Sequence, residues 1–193
     1  MPFTKTYMKN TTNNPNMKKI TIVILAALVP FLLQGQAEIS KIKWYTFEQA
    51  LELSKKAPKK LMIDVYTDWC GWCKKMDAET FSNTEIAKYV NEHFYAVKFN
   101  AEQKADIVFQ GKTYKYVDQG NGKGYHELAA ALLSNQLSFP TVSYLNEKLE
   151  LLGPVPGYRN AHDLEPLLVY ISEDKFKTIA FDAFQKTFLG KIK

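Results

Sequence analysis

The chain is short of the residues that most often carry charge recognition or metal chemistry. It has one arginine, Arg159, two cysteines, Cys70 and Cys73, and three histidines, His93, His126 and His162, that stand far apart. A single arginine cannot make the basic stripe that phosphate or nucleic-acid binding requires. The formal charge of +5 does not replace it, because Lys5, Lys9, Lys18 and Lys19 lie in the first 37 residues, which hold no acid. Without those four, 21 basic residues face 20 acidic ones from Glu38 onward, a balance of +1. Nucleic acid is not an expected partner. Repeats and low-complexity tracts are absent, and no apolar run reaches the ~20 residues that span a bilayer.

The scarcity of cysteine is informative in another way. Two thiols three positions apart cannot form a structural framework, and a disulfide closing so short a loop constrains little of the unfolded chain. Reactivity accounts for them better. Zinc would need two more ligands, and the isolated histidines offer neither a short pair nor a second cysteine pair. A haem attachment site would need a histidine where Lys74 stands. No metal and no dissociable cofactor is expected.

What is present suffices for one packed domain: 193 residues, 46% of them hydrophobic and 13% aromatic, too apolar for general disorder and too few for two full domains. Met17-Lys18-Lys19 precedes an apolar run from Ile20 to Leu33 and the small residues Gly35 and Ala37. That order describes a secretory leader cleaved before Glu38, with residues 1–16 a polar extension or an upstream start ahead of Met17. Residues 1–37 are thus read as extension and signal peptide, and 38–193 as the domain, exported to the periplasmic or extracellular side. Membrane attachment is expected only if that leader stays uncleaved.

Along the domain, Thr46 and Gln49 form a capping box that opens a helix, and Pro58 marks its stop. Leu61 to Tyr66 is a buried strand, apolar except for Asp64. A helix starts at Cys70, Ser82 with Glu85 caps another, and Tyr95 to Asn100 is a second buried strand, so the pair should be parallel with a right-handed crossover. Residues 101–124 turn polar and Gly-rich and are expected to be an inserted hairpin or an ordered loop. A helix follows over Tyr125 to Leu133. Thr141 to Leu145 and Leu149 to Leu152 form a hairpin, and Gly153 to Gly157, with its two prolines, a loop. Two more helices are expected, over Ala161 to Ser172 and over 175–189, the last with Phe176, Ile179, Ala180, Ala183, Phe184 and Phe188 on one stripe.

The chemistry gathers at Trp69-Cys70-Gly71-Trp72-Cys73. A cysteine in the first turn of a helix faces unpaired backbone N–H groups and the positive end of the helix dipole, which favour thiolate over thiol. Cys73 lies one turn on along the same face and can close a disulfide with Cys70 or resolve a mixed one. A carboxyl at Asp64, set among Leu61, Ile63 and Val65, should have its pKa raised toward neutrality, where it can act as acid or base.

The stretch from Asp64 to Lys74 resembles the active-site segment of thioredoxins. It is most similar to exported thioredoxin-like proteins with a Trp-Cys-x-x-Cys-Lys signature, among them the thiol-reducing domain of the membrane reductant carrier DsbD. The resemblance implies an α/β thioredoxin-like fold, with a central mixed sheet flanked by helices, the insertion, and an extra C-terminal helix. It also implies that Pro140 in Ser138-Phe139-Pro140-Thr141 is cis and lies beside the cysteines, and that Phe139 offers backbone hydrogen bonds to a substrate strand. Asp64 is similar to the family's buried proton-transfer acid and Lys98 to the lysine near it. Trp69 and Trp72 would join Pro140 in an apolar lip for extended polypeptide. Trp72 stands where thioredoxin has proline, a position that helps set the redox potential, so reductant, oxidant and isomerase all remain open, with reductant favoured. Partners would be protein thiols and disulfides and an upstream redox protein. Two other classes are weighed: a binding or folding-helper module in which the cysteines are incidental, and a metal carrier using the thiolate pair.

Overall fold

The computed structural model describes Pro2, residues 41–120 and residues 122–192. The expected leader and its cleavage point before Glu38 otherwise lie outside the described residues. Strand β1 (Trp44–Tyr45) runs into helix α1 (Phe47–Lys56) through the expected capping box. Thr46 accepts from the Gln49 N–H at 3.2 Å, and the Gln49 side chain accepts from the Thr46 N–H at 3.0 Å. Strand β2 (Lys60–Tyr66) is buried along all but its last residue, as a central strand must be. Helices α2 (Gly71–Glu79) and α3 (Thr84–His93) then lead to β3 (Phe94–Asn100). The cap of α3 lies one residue later than expected: Asn83 accepts from the Glu85 and Ile86 N–H groups, while Ser82 turns back and donates to the Ala78 carbonyl at 2.6 Å. Asparagine is as good a cap as serine, so the capping box pattern misplaced the start.

Residues 101–124 fold as two small hairpins, β4 (Ile107–Phe109) with β5 (Lys112–Tyr114), and β6 (Tyr116–Gly120) with β7 (Lys123–His126). The first turns on Gln110 and Gly111, both at positive φ, the two-residue geometry that suits the strand twist. Because Tyr125 and His126 belong to β7, helix α4 (Glu127–Leu132) starts later than periodicity suggested, with His126 Nδ1 accepting from the Leu128 N–H. Strands β8 (Thr141–Leu145) and β9 (Leu151–Pro156) form the expected hairpin, but β9 runs on through Gly153–Pro156, which the two prolines had marked as loop. The sheet order β1-β3-β2-β8-β9 explains this, since β9 is an edge strand and a missing proline N–H can face outward there.

Strands β1, β3 and β2 are parallel, while β8 and β9 are antiparallel additions. This is the expected mixed sheet flanked by helices. One face, with Met62, Ala96, Val142 and Tyr144, packs against Met76 of α2, Ile86 and Val90 of α3, and Leu164 and Leu168 of α5 (Ala161–Ser172). The other, with Leu61, Ile63, Val65, Val97 and Phe99, packs against α1 and α4. Beyond α5 the single helix expected over 175–189 divides into a 3-10 turn (Lys175–Lys177) and α6 (Phe181–Thr187). Tyr170 donates to the Ile179 carbonyl at the break and gathers Phe181 and Phe184 about its ring at 5.2 and 5.5 Å. Those tertiary contacts outweigh an uninterrupted stripe.

Candidate active site

The site lies where β2 ends and α2 begins. After Tyr66 the chain turns through Thr67, Asp68 and Trp69, with the Cys70 N–H donating to the Thr67 carbonyl at 3.1 Å. Cys70 is the N-cap of α2, and its Sγ accepts from the Cys73 N–H at 3.1 Å. The two cysteines are joined in a disulfide and both are buried, at 5% and 3% exposure. The flanking tryptophans are the opposite, Trp69 at 67% and Trp72 at 57% exposure. A buried disulfide therefore sits between two exposed indoles.

The Phe139–Pro140 peptide is cis. Phe139 lies edge-on to Trp69 at 6.0 Å, and its backbone makes no hydrogen bond among the described residues. The Pro140 carbonyl accepts from the Gly157 N–H at 2.9 Å, tying the loop after β9 to the one before β8.

Parallel register sets Asp64 of β2 beside Lys98 of β3, on the face that α2 covers. Lys98 Nζ donates to Asp64 Oδ2 at 2.6 Å and also to Asp77 of α2. Asp64 is 1% exposed, and its Oδ1 has no hydrogen-bond partner among the described residues. Burial pushes its carboxyl up to about 6, against the pull of the Lys98 ammonium and with help from the Asp77 charge. Lys98 itself loses solvent, which lowers an ammonium, but Asp64 and Asp77 more than reverse this and hold it above its ordinary value. The arrangement can store or release a proton near neutral pH beneath the disulfide helix.

All the residues singled out from the sequence lie at or next to this strand-to-helix junction, on the loop that carries Pro140, or on β3. Four others belong with them. Asp77 shares Lys98, and its position four residues after Cys73 could have revealed it. Glu102 accepts the Trp69 indole N–H at 2.9 Å. Tyr158 stands 5.4 Å from Trp72, and Lys75 places its ammonium over both of those rings. Glu102 and Tyr158 arrive from distant parts of the chain, so nothing local announced them. Among the described residues, no group of three or more His, Cys, Asp or Glu is placed to hold a metal ion.

Comparison with known proteins turns this geometry into a family. The family model Thioredox_DsbH, described as "Protein of unknown function, DUF255", matches residues 23–160. The chain belongs to this thioredoxin-like family. Among similar proteins, mouse spermatogenesis-associated protein 20 is 31% identical over 96 residues, which cover 49% of this chain and 12% of that protein. Disulfide bond reductase DsbH of Chlamydia pneumoniae is 29% identical over 66 residues, covering 34% of this chain and 40% of that one. The aligned stretches thus span less than half of those relatives. A thioredoxin-fold protein from Helicobacter pylori superposes with a TM-score of 0.54 at 18% identity, covering 79% of this chain and 93% of its own. A thioredoxin from Thermus thermophilus does so at 0.50 and 17% identity, over 68% and 87%. At that identity the likeness establishes the fold. The family match makes the chain a Thioredox_DsbH protein.

Proposed function

We propose that this Thioredox_DsbH protein exchanges disulfides with protein substrates outside the cytoplasm, working as a reductant. The observation that carries the reading is the Cys70–Cys73 pair at the N-cap of α2, flanked by exposed indoles, with a buried acid of raised pKa on β2 linked to the same helix through Lys98 and Asp77. In the reduced protein the Cys70 thiolate attacks one sulfur of a substrate disulfide. A mixed disulfide forms and the substrate's other sulfur leaves as a thiolate. Cys73, deprotonated with Asp64 as acceptor, then attacks Cys70 Sγ and releases the second substrate thiol, which takes up a proton. Two electrons pass to the substrate, and the pair closes into the disulfide seen in the structure. An upstream dithiol protein returns it to the reduced state.

Lys98 and Asp77 would position the Asp64 proton, while Phe139 would present its unpaired backbone groups to the substrate strand beside Pro140. Support for the reductive direction comes from the DsbD-like signature and the disulfide bond reductase among the similar proteins. Support for export comes from the leader pattern over 17–37. The mature chain would begin near Glu38, with 101–124 inserted at the rim of the site and the segment 175–189 added after the fold's last common helix.

The test is reduction of insulin by the pre-reduced protein, together with trapping in the exporting cell. Cys70→Ser should abolish reduction. Cys73→Ser should accumulate covalent complexes with substrates, because the mixed disulfide can no longer be resolved. Full insulin reduction by Cys70→Ser, or trapping by neither variant, would overturn the reading.

A further inference from the structure

The two aromatic walls beside the disulfide differ in charge. On one side Trp69 rests edge-on against Phe139 and bonds Glu102, and the adjacent Asp68 carboxylate accepts from Asn100 Nδ2 at 3.2 Å. On the other, Trp72 leans on Tyr158, and Lys75 lays its ammonium over both rings, 5.0 Å from one centroid and 5.4 Å from the other. Tyr158 donates to Glu79 at 2.6 Å, and that carboxylate lies 3.9 Å from Lys75 Nζ.

Sheet topology keeps the walls apart. Glu102 follows β3, the neighbour of β2 on one side, and Tyr158 follows β9, two strands away on the other. The wall near β3 presents two carboxylates, Asp68 and Glu102, the nearby Lys104 being turned onto the Tyr116 ring at 5.2 Å. The wall near β9 presents the Lys75 ammonium paired with the Glu79 carboxylate, no net charge against the two negative charges of the other wall. Stacking on two rings fixes where the Lys75 charge stands and spares it some of the entropy lost on contact.

We propose that this asymmetry selects the substrate segment. The shelf of Trp72, Lys75 and Tyr158 takes the side of the substrate cysteine that carries an acidic residue, and the Trp69–Glu102 wall takes the side that carries a basic one. The partner is thus a protein with a disulfide in an accessible, extended segment with opposite charges astride the cysteine. The proposal rests on the oxidoreductase reading, and it makes Lys75, Tyr158 and Glu102 specificity-determining residues.

Two symmetrical peptide disulfides of identical composition test it, one built from Lys-Ala-Cys-Ala-Glu and the other from Glu-Ala-Cys-Ala-Lys, each reduced by the pre-reduced full chain. Exposed charge pairs are individually weak, so the second-order rate constants should differ about three- to tenfold at low salt. The gap should close near ~0.5 M salt, where screening acts over a few ångströms. Lys75→Glu, which sets two carboxylates on each wall, should close it, and Lys75→Met, which keeps the stem on the rings, should shrink it. Tyr158→Ala should shrink the gap and Tyr158→Phe restore it. Equal rates for the two peptides, or a gap untouched by Lys75→Glu, would overturn the proposal while leaving the oxidoreductase reading standing. Reaction with neither peptide and no reduction of insulin would overturn both.

Discussion

Strand β2 carries two buried charges four residues apart, and their surroundings are opposite in kind. Lys60, at the start, is 4% exposed, and its ammonium reaches Glu147 at 2.7 Å, Asp174 at 3.1 Å and the Ser172 carbonyl at 3.3 Å. Burial alone would lower its pKa, but Glu147 and Asp174 more than reverse this, so the charge is secured. Asp64, nearer the site, has one oxygen on Lys98 and one with no partner, and burial raises it to about 6. The lysine joins the β8–β9 turn to the end of α5. The acid is left half-satisfied, so its proton remains free to move. A fully bonded buried ion serves the fold, and an incompletely bonded one is available to chemistry.

Asp64→Asn should break that contrast most sharply. Loss of the proton acceptor should slow resolution of the mixed disulfide by about 10²-fold and flatten the pH dependence of exchange around 6. The same variant should be more stable at pH 7. A folded-state pKa above the ordinary value of 3.8 means that folding favours the protonated acid. Its contribution is therefore fully present below pH 3.8 and lost as pH rises through about 6, after which the buried carboxylate costs at most about 3 kcal/mol. Denaturant unfolding of parent and variant should differ by about 1–3 kcal/mol at pH 7 and converge near pH ~4. Equal stability at both pH values would show that Asp64 is not desolvated as its burial implies.

Lys60→Met tests the other end of the strand. The loss should be about 2 kcal/mol, below the range for breaking a fully buried pair, because Glu147 and Asp174 are 47% and 37% exposed and can rehydrate. Resolution rates should stay at the parent value. A variant as stable as the parent would remove Lys60 from the forces holding the C-terminal turn. The smallest effect belongs to Asp77→Asn. Removing a charge that raises Asp64 should move the inflection of the exchange profile below the parent's value near 6, by less than about one unit. An upward movement would contradict the shared-lysine geometry.

Much of this arrangement was legible before any coordinates. The lone acid in the apolar run Leu61–Tyr66, the helix start at Cys70 and the Thr46–Gln49 box are local signals, and each was read at its position. Errors fell where tertiary contacts compete with local pattern. Pro154 and Pro156 suggested a loop until the edge position of β9 made them tolerable, and the stripe over 175–189 read as one helix until Tyr170 broke it. Glu102 and Tyr158 could not be found by spacing, since they lie 33 and 86 residues from the tryptophans they touch.

The sequence by itself marked the candidate groups: a cysteine pair at a helix start, an acid placed in an apolar strand, and a Phe-Pro segment before β8. These follow from residue type and short-range order, which backbone geometry converts directly into helix, strand and turn. Only the tertiary structure decided how the acid is tuned and what surrounds the sulfurs. Register laid Lys98 beside Asp64, α2 packing brought Asp77 to the same ammonium, and the ends of β3 and β9 delivered Glu102 and Tyr158 to opposite rims. The reason is that pKa and recognition depend on charges and rings within a few ångströms in space, a distance that separation along the chain does not measure.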